Sequence, residues 1–421
     1  MIRLAHFVQR YPPALGGSEA YMARLSRYHV QAGDEVEVYT TTGDALDAFW
    51  DRRASQLPPG EEWVDGVQVH RLPLVHLPLG HRYWLKAASL IPLPSWQALT
   101  MPFNPIVPQM WRLARQPGRA FDAVHASAFP YSFPLACAAR LARTAQVPLF
   151  LTPFVHIGDP DDPRDRVRKA YTTPALMNLA RSAARLFVQT QGEAETLVRL
   201  GIPAERVILQ GLGVDLESCT GGDRRWARQR WGLEDQQVVI GHLANNSYEK
   251  GSIDLLLAAE RAWARGGRFA VVLAGTEMPN FRAFWSQHHS TGTIVRFGRL
   301  SDEEKRDFFA GIDAFALPSR SDSFGLVFPE AWANGVPCVG YRAGGVPWVI
   351  RDGVDGRVVR CGDLEELAGV LLEWSASAKV RHELGEAGRA RLGEFAWDQK
   401  LALVRREIVN VLESHRVGQG E

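Results

Sequence analysis

Short apolar runs bounded by turn residues recur along the chain and alternate with stretches whose apolar positions fall at helical spacing. In the first half the runs predict strands at 2–8, 35–41, 67–73, 122–126, 148–152, 186–190 and 207–211. Runs such as Pro148-Leu149-Phe150-Leu151-Thr152 and Leu186-Phe187-Val188-Gln189-Thr190 suit strands of a parallel sheet covered on both faces. Ser18 to Gln31 reads as a helix with Tyr21, Met22, Leu25 and Tyr28 on one face. The second half repeats the pattern, with strands at 238–243, 269–274, 294–298, 314–318, 338–342 and 356–360 and helices near 251–265, 302–311, 325–334 and 363–374. This is an α/β chain of two doubly wound parallel sheets, whose ligands bind beyond the carboxyl ends of the strands. Two such halves facing each other would enclose a cleft.

With 421 residues, two domains are expected. The boundaries fall at 1–215 and 216–395, joined through a loop-like stretch from Asp215 to Arg225. A tail, 396–421, contains an amphipathic helix from Trp397 to His415 with Leu401, Val404, Ile408 and Leu412 on one stripe. Between Tyr83 and Leu113, Trp84, Trp96 and Trp111 alternate with Leu, Ile and prolines 92, 94, 102, 105 and 108, a composition that breaks regular helix. That stretch reads as a surface excursion packed on its own domain, with a flap that binds an acceptor or touches a membrane as the other reading.

Charge narrows the picture. The 48 basic and 47 acidic side chains nearly cancel, which argues against nucleic acid as a partner. Cys137, Cys219, Cys338 and Cys361 are scattered, without metal-ligand spacing or a disulfide framework. The N-terminus reads as a first strand rather than a signal, and no run of about 18 apolar residues suggests a transmembrane helix. A cytoplasmic enzyme is expected, with peripheral contact on the inner face of the membrane left open.

Candidate chemistry gathers at predicted strand ends. Ser321 to Gly335 sets Asp322 and Glu330 eight positions apart around a strand-to-helix turn, where the N–H groups of Ser323, Phe324, Gly325 and Leu326 could hold an anion. Two carboxylates able to accept from hydroxyls on either side of one anion describe a nucleotide-sugar. Lys250 closes the loop that contains Asn245 and would add a full cation. Gly16 and Gly17 open the first helix, with Ser18 as its cap and Glu19 in the first turn. His156 follows a strand and could hydrogen-bond a sugar hydroxyl or the leaving phosphate.

The ordered set Gly16-Gly17, Thr152 to His156, Gly213-Val214-Asp215, Lys250-Gly251, Asp322 to Glu330, Gly344-Gly345, Asp352-Gly353 and Asp355 to Val359 resembles the retaining glycosyltransferases of the GT-B fold, family 4 (group 1). The resemblance implies an N-terminal acceptor-side domain, a C-terminal nucleotide-sugar domain and a tail helix that crosses back onto the first. It also implies that Lys250 binds the donor diphosphate and that Glu330 accepts from the ribose. Asp322 with the Phe324 to Leu326 amides would hold the sugar and distal phosphate, Gly16 and Gly17 would lie against the donor phosphate or acceptor, and His156 would contact the sugar. Three departures stand out. Asp322 replaces a glutamate, His242 stands where the family has an arginine, and Pro329 would kink the helix near Glu330. Arg299, Arg320 or a protonated His242 could supply the missing charge.

The expected reaction is sugar transfer from a nucleotide-sugar to a sugar, glycolipid or other hydroxyl acceptor with retention of configuration. No cofactor, metal ion or obligate protein partner is expected, and Asp159, Asp161 and Asp162 read as a loop. The alternatives are an inverting transferase, a nucleotide-sugar epimerase, or a silent sugar-nucleotide sensor.

Overall fold

The computed structural model describes residues 1–14, 16–78, 80–116 and 118–419. The chain divides into two compact units. The first comprises Met1–Val155, Lys169–Gln210 and the chain from Leu401 on; the second comprises His156–Arg168 and Gly211–Lys400.

The first unit is built on strands β1 (Arg3–Phe7), β2 (Glu35–Thr41), β3 (Gly60–Val64), β4 (Val67–Leu72), β5 (Ala123–Ala126), β6 (Leu149–Leu151), β7 (Arg185–Val188) and β8 (Val207–Leu209). They lie in the order β3-β4-β2-β1-β5-β6-β7-β8. Every pairing is parallel except β3 with β4. β3 was not among the expected strands, because its Gly60-Glu61-Glu62-Trp63 run is an exposed sheet edge with no apolar face to bury.

The second unit carries β9 (Val238–Leu243), β10 (Phe269–Ala274), β11 (Thr293–Phe297), β12 (Ala314–Leu317), β13 (Cys338–Tyr341) and β14 (Gly356–Val359), all parallel, in the order β11-β10-β9-β12-β13-β14. Fully buried Val271, Leu273, Leu255, Leu256 and Trp374 fill one face between the sheet and its helices. In both sheets the order reverses beside the first strand, between β1 and β5 and between β9 and β12. Such a reversal opens a crevice at the carboxyl ends of the two strands.

Three local expectations are corrected. The segment from Tyr83 to Leu113 is not stripped of helix: it forms short helices His81–Ala88, Pro94–Thr100 and Pro108–Leu113. Two of them begin on proline, where the missing N–H is unsatisfied in any helix. Pro329 likewise occupies the first turn of helix Val327–Ala333, where its missing N–H costs no intrahelical hydrogen bond. The stretch from Asp215 to Arg225 contains the one-turn helix Leu216–Cys219 rather than only loop.

The last helix, Trp397–Gln419, buries Leu401, Val404, Ile408 and Leu412. Its Arg405 donates through Nε at 2.8 Å and Nη2 at 3.1 Å to the buried carboxylate of Asp34, which also accepts from His29 at 2.9 Å and the amide of Ile2 at 3.1 Å. Asp34 therefore gathers the first strand, the first helix and the tail. Asp34→Ala is expected to cost roughly 3 kcal/mol, since it strands a partly buried cation, and a urea titration of the full chain measures it.

Candidate functional site

β9 and β12 are hydrogen-bonded neighbours, with Ile240 opposite Ala314 and Gly241 opposite Phe315, so the loops that leave their carboxyl ends lie side by side. The loop after β9 runs to Gly251, the N-cap of helix Ser252–Ala264. Gly251 adopts φ +73°, and a Cβ there would lie 1.9 Å from the Pro318 carbonyl oxygen, so only glycine lets the two loops touch.

A directed chain of hydrogen bonds fixes this loop. His242 Nδ1 lies 2.8 Å from the Ala316 carbonyl and its Nε2 2.8 Å from Ser252 Oγ. A carbonyl only accepts, so Nδ1 holds the proton and Nε2 accepts from the serine. Ser252 Oγ in turn accepts from the Ser247 amide at 3.1 Å, and Ser247 Oγ from the Lys250 amide at 3.1 Å. The last strand residues of β12 are thereby tied to the backbone of Lys250. His242 is fully buried, and burial lowers its pKa to about 4. The expectation of a protonated His242 facing a donor phosphate is therefore corrected: the ring is neutral, both nitrogens are engaged, and it acts as a spacer inside the fold.

The loop after β12 brings the other residues in. Lys250 Nζ donates to Asp322 Oδ2 at 2.8 Å, with both side chains mostly covered. His156, which belongs to the same unit, lies with Nδ1 2.7 Å from Ser321 Oγ. Burial pulls the pKa of His156 down to about 4, against the opposing pull of Asp322, so this ring too is neutral at ordinary pH. Behind them sits Gly344 at φ +57°, where a Cβ would come within 2.1 Å of the Asp322 carbonyl oxygen. Gly344 N–H donates to the Gly158 carbonyl at 2.8 Å and Gly345 N–H to that of Asp322 at 2.7 Å. Two residues on, Phe324 packs its ring on Phe395, and Gly325 turns at φ +85°. The amides of Phe324, Gly325 and Leu326 make no hydrogen bond among the described residues. Helix Val327–Ala333 is only seven residues long, so these N–H groups matter more than its dipole.

Glu330 is held by Lys305 at 3.0 Å, and burial raises its pKa despite that partner. Asn245 is exposed on the β9 loop, whereas buried Asn246 bonds through Nδ2 to the Gly275 carbonyl at 3.2 Å. Of the arginines considered as replacements, Arg320 is committed to Asp254 at 2.5 Å and stacks over Tyr248 at 4.2 Å. Arg299 is exposed beyond edge strand β11 and has no ion pair among the described residues. β11 is two strands from β9, roughly 10 Å away. Lys250 is therefore the cation that contacts Asp322.

Gly16 and Gly17 lie in the first unit at the start of helix Gly17–Gln31. Ser18 is not its cap, since the cap position belongs to Gly16 and Ser18 Oγ donates to Glu19 at 2.8 Å. A Cβ at Gly16 would lie 2.2 Å from the Glu19 carboxylate, which is paired at 2.7 Å with the buried Arg10. Arg10, Ser321 and Lys305 are partners that no local pattern in the sequence marks.

The His242 chain gives a test. His242→Ala leaves the Ala316 carbonyl and the Ser252 hydroxyl without their partner and is expected to cost about 1–3 kcal/mol. His242→Gln, which can donate and accept in the same places, should lose much less. Below pH 6.5 the unfolded histidine takes a proton that the folded one refuses, so wild-type stability falls as pH drops toward about 4. Urea titrations at pH 7 and pH 4.5 should show the glutamine variant losing less stability on acidification than wild type.

Similarity to known proteins bears on the fold and the family. A family model described as "Glycosyl transferases group 1" matches residues 223–391, and one described as "Glycosyl transferase 4-like domain" matches residues 16–213. The D-inositol 3-phosphate glycosyltransferase of Thermobifida fusca is 26% identical over 405 residues, covering 91% of this chain and 86% of the relative. That of Saccharomonospora viridis is 29% identical over 404 residues, with the same 91% and 86% coverage. Among solved structures, Anabaena HepE in complex with UDP and glucose aligns with a TM-score of 0.70 at 18% identity over 98% of this chain and all (100%) of that one. Sucrose-phosphate synthase from Thermosynechococcus elongatus aligns with a TM-score of 0.71 at 16% identity, again over 98% and 100%. These likenesses bear out the GT-B fold expected of the two doubly wound sheets. With the two family models accounting between them for nearly the whole chain, the protein belongs to the group 1 glycosyltransferases with a 4-like N-terminal domain.

Proposed function

We propose that the protein transfers a hexose-type sugar from a nucleotide-sugar to an acceptor hydroxyl, with retention of the anomeric configuration and without a metal ion. The observation that carries this reading is the 2.8 Å Lys250–Asp322 contact at the β9–β12 crevice, beside three amides with no internal acceptor.

Cleaving the anomeric C–O bond puts negative charge on the departing diphosphate. A preorganised cation and N–H groups lower the barrier by meeting that charge as it forms. Lys250 swings from Asp322 to the diphosphate when donor binds, and the freed carboxylate accepts from sugar hydroxyls. The Phe324 to Leu326 amides hold the distal phosphate. Glu330 accepts from the ribose, retaining Lys305 as its counter-charge. His156, neutral and steadied by Ser321, hydrogen-bonds the sugar on its reacting side. Gly16 and Gly17 leave room for phosphate or acceptor in the first unit. In the same-face route assumed here, the leaving phosphate oxygen takes the acceptor proton, so no side chain has to act as base.

The relatives named D-inositol 3-phosphate glycosyltransferases and the HepE complex with UDP and glucose make UDP-hexoses and polyol or sugar acceptors the first substrates to try.

Once a donor and acceptor pair is found, Lys250→Ala should lower kcat at least tenfold, about 1.4 kcal/mol or more of leaving-group stabilisation. An unchanged rate would take Lys250 out of the phosphate site. NMR of the product should show the donor's anomeric configuration, and a chelator should leave the rate unaltered.

A further inference from the structure

Helices His81–Ala88 and Pro94–Thr100 form a hairpin in the first unit that plays no part in the chemistry above. The turn between them is Ser89-Leu90-Ile91-Pro92-Leu93, and its three aliphatic side chains are 77%, 47% and 58% exposed. Tyr83, Trp84, Trp96 and Phe103 are exposed around it. The indole N–H of Trp84 donates to the Pro78 carbonyl at 2.9 Å and that of Trp96 to the Ala88 carbonyl at 2.8 Å. Each ring thus satisfies its polar atom within the hairpin and presents carbon outward. The base, by contrast, is fixed. Buried Asn104 donates through Nδ2 to Ala98 at 2.8 Å and accepts at Oδ1 from the Phe133 amide at 3.2 Å, while His81 Nε2 meets the Asn104 carbonyl at 3.2 Å. A rigidly held hairpin with an apolar tip is not what a solvent-facing loop needs.

The segment that carries it is one-sided in charge along the sequence. Residues 66–121 contain no Asp or Glu, although elsewhere the chain has about one acid in every eight residues. The same stretch carries Arg82, Lys86, Arg112 and Arg115, besides Arg71 and Arg119, which are paired with Glu62 and Glu37. Arg82 lies on the hairpin itself, stacked over Phe103 at 4.2 Å, and Lys86 is exposed with no ion pair among the described residues. Aliphatic residues at a tip, aromatic rings at its shoulders and cations behind them match the layers of a bilayer surface: acyl chains, interface and anionic headgroups. Among the described residues no helix is long and apolar enough to cross a membrane.

We propose that the 81–103 hairpin docks the protein on an anionic lipid bilayer, with Leu90, Ile91 and Leu93 entering the acyl boundary, Tyr83, Trp84 and Trp96 at the headgroup level, and Arg82 and Lys86 facing the lipid phosphates. The docking is separate from the transfer reaction and is read without donor or acceptor.

Co-sedimentation of the full chain with vesicles of phosphatidylcholine plus phosphatidylglycerol, and with phosphatidylcholine alone, tests it. Binding to the anionic vesicles should weaken with added salt and should fall at least tenfold on pure phosphatidylcholine. Leu90→Asp/Ile91→Asp and, separately, Arg82→Glu/Lys86→Glu should each reduce binding at least tenfold. The substituted side chains are exposed and the contact given up among the described residues is the stacking of Arg82 on Phe103 and Trp50, so each variant should keep a single cooperative thermal transition. Equal binding by wild type and both variants, or none by wild type, overturns the proposal. So does a wild-type chain that ignores vesicles but self-associates in sedimentation equilibrium and loses that association in the Leu90→Asp/Ile91→Asp variant.

Discussion

The pairing of β9 with β12 is the constraint from which the candidate site follows. Because the strand order reverses there, two loops far apart in sequence leave the sheet side by side and must share one small volume. Glycine at 251 lets them touch, because the atom a Cβ would strike there is backbone, whereas at Gly241 a Cβ would meet the side-chain ends of Ile312 at 2.7 Å and Phe308 at 2.8 Å. Given that contact, Lys250 and Asp322 are near enough to form an ion pair, and the neutral His242 holds the lysine's backbone at a set distance from β12. The site's electrostatics are thus a result of how the sheet is wound.

A second regularity concerns charge. Lys250 with Asp322, Lys305 with Glu330 and Arg10 with Glu19 each pair a cation with a carboxylate at a candidate ligand position. Partly covered charges without partners would be expensive, so on the proposed function the cations stay neutralised until the anion arrives. The carboxylate displaced by a phosphate is then already beside the bound molecule and able to accept from its hydroxyls. On this reading one pair serves both ends of a sugar phosphate.

Much of this was legible in the sequence, and what was not has identifiable causes. Strands such as Val238–Leu243 and Phe269–Ala274 match their expected limits because buried parallel strands need unbroken apolar runs, which few other structures demand. β3 escaped because an exposed edge needs no such run. The prolines between Tyr83 and Leu113 suggest broken helix, whereas Pro94 and Pro108 start helices, and only the position of the first turn tells the two uses apart. At the site, Lys250 and Asp322 were recognisable one by one from their strand-end positions, but their contact spans 72 residues and depends on strand order, which no local pattern encodes. His242 stands where a related chain would carry a permanent cation, and its role could not be inferred from residue type. An imidazole there becomes either a charge or a neutral spacer according to whether a carbonyl and a hydroxyl lie within reach, and Ala316 and Ser252 settle the matter.

Gly344 touches both the segment that carries His156 and the turn that carries Asp322, through one N–H and one absent side chain. The segments that carry the imidazole and the carboxylate therefore meet at one residue. On the proposed function, a redesign that shifts one of them to admit a bulkier sugar will drag the other along, and substitutions around this joint will alter donor preference more readily than changes to the two polar residues themselves.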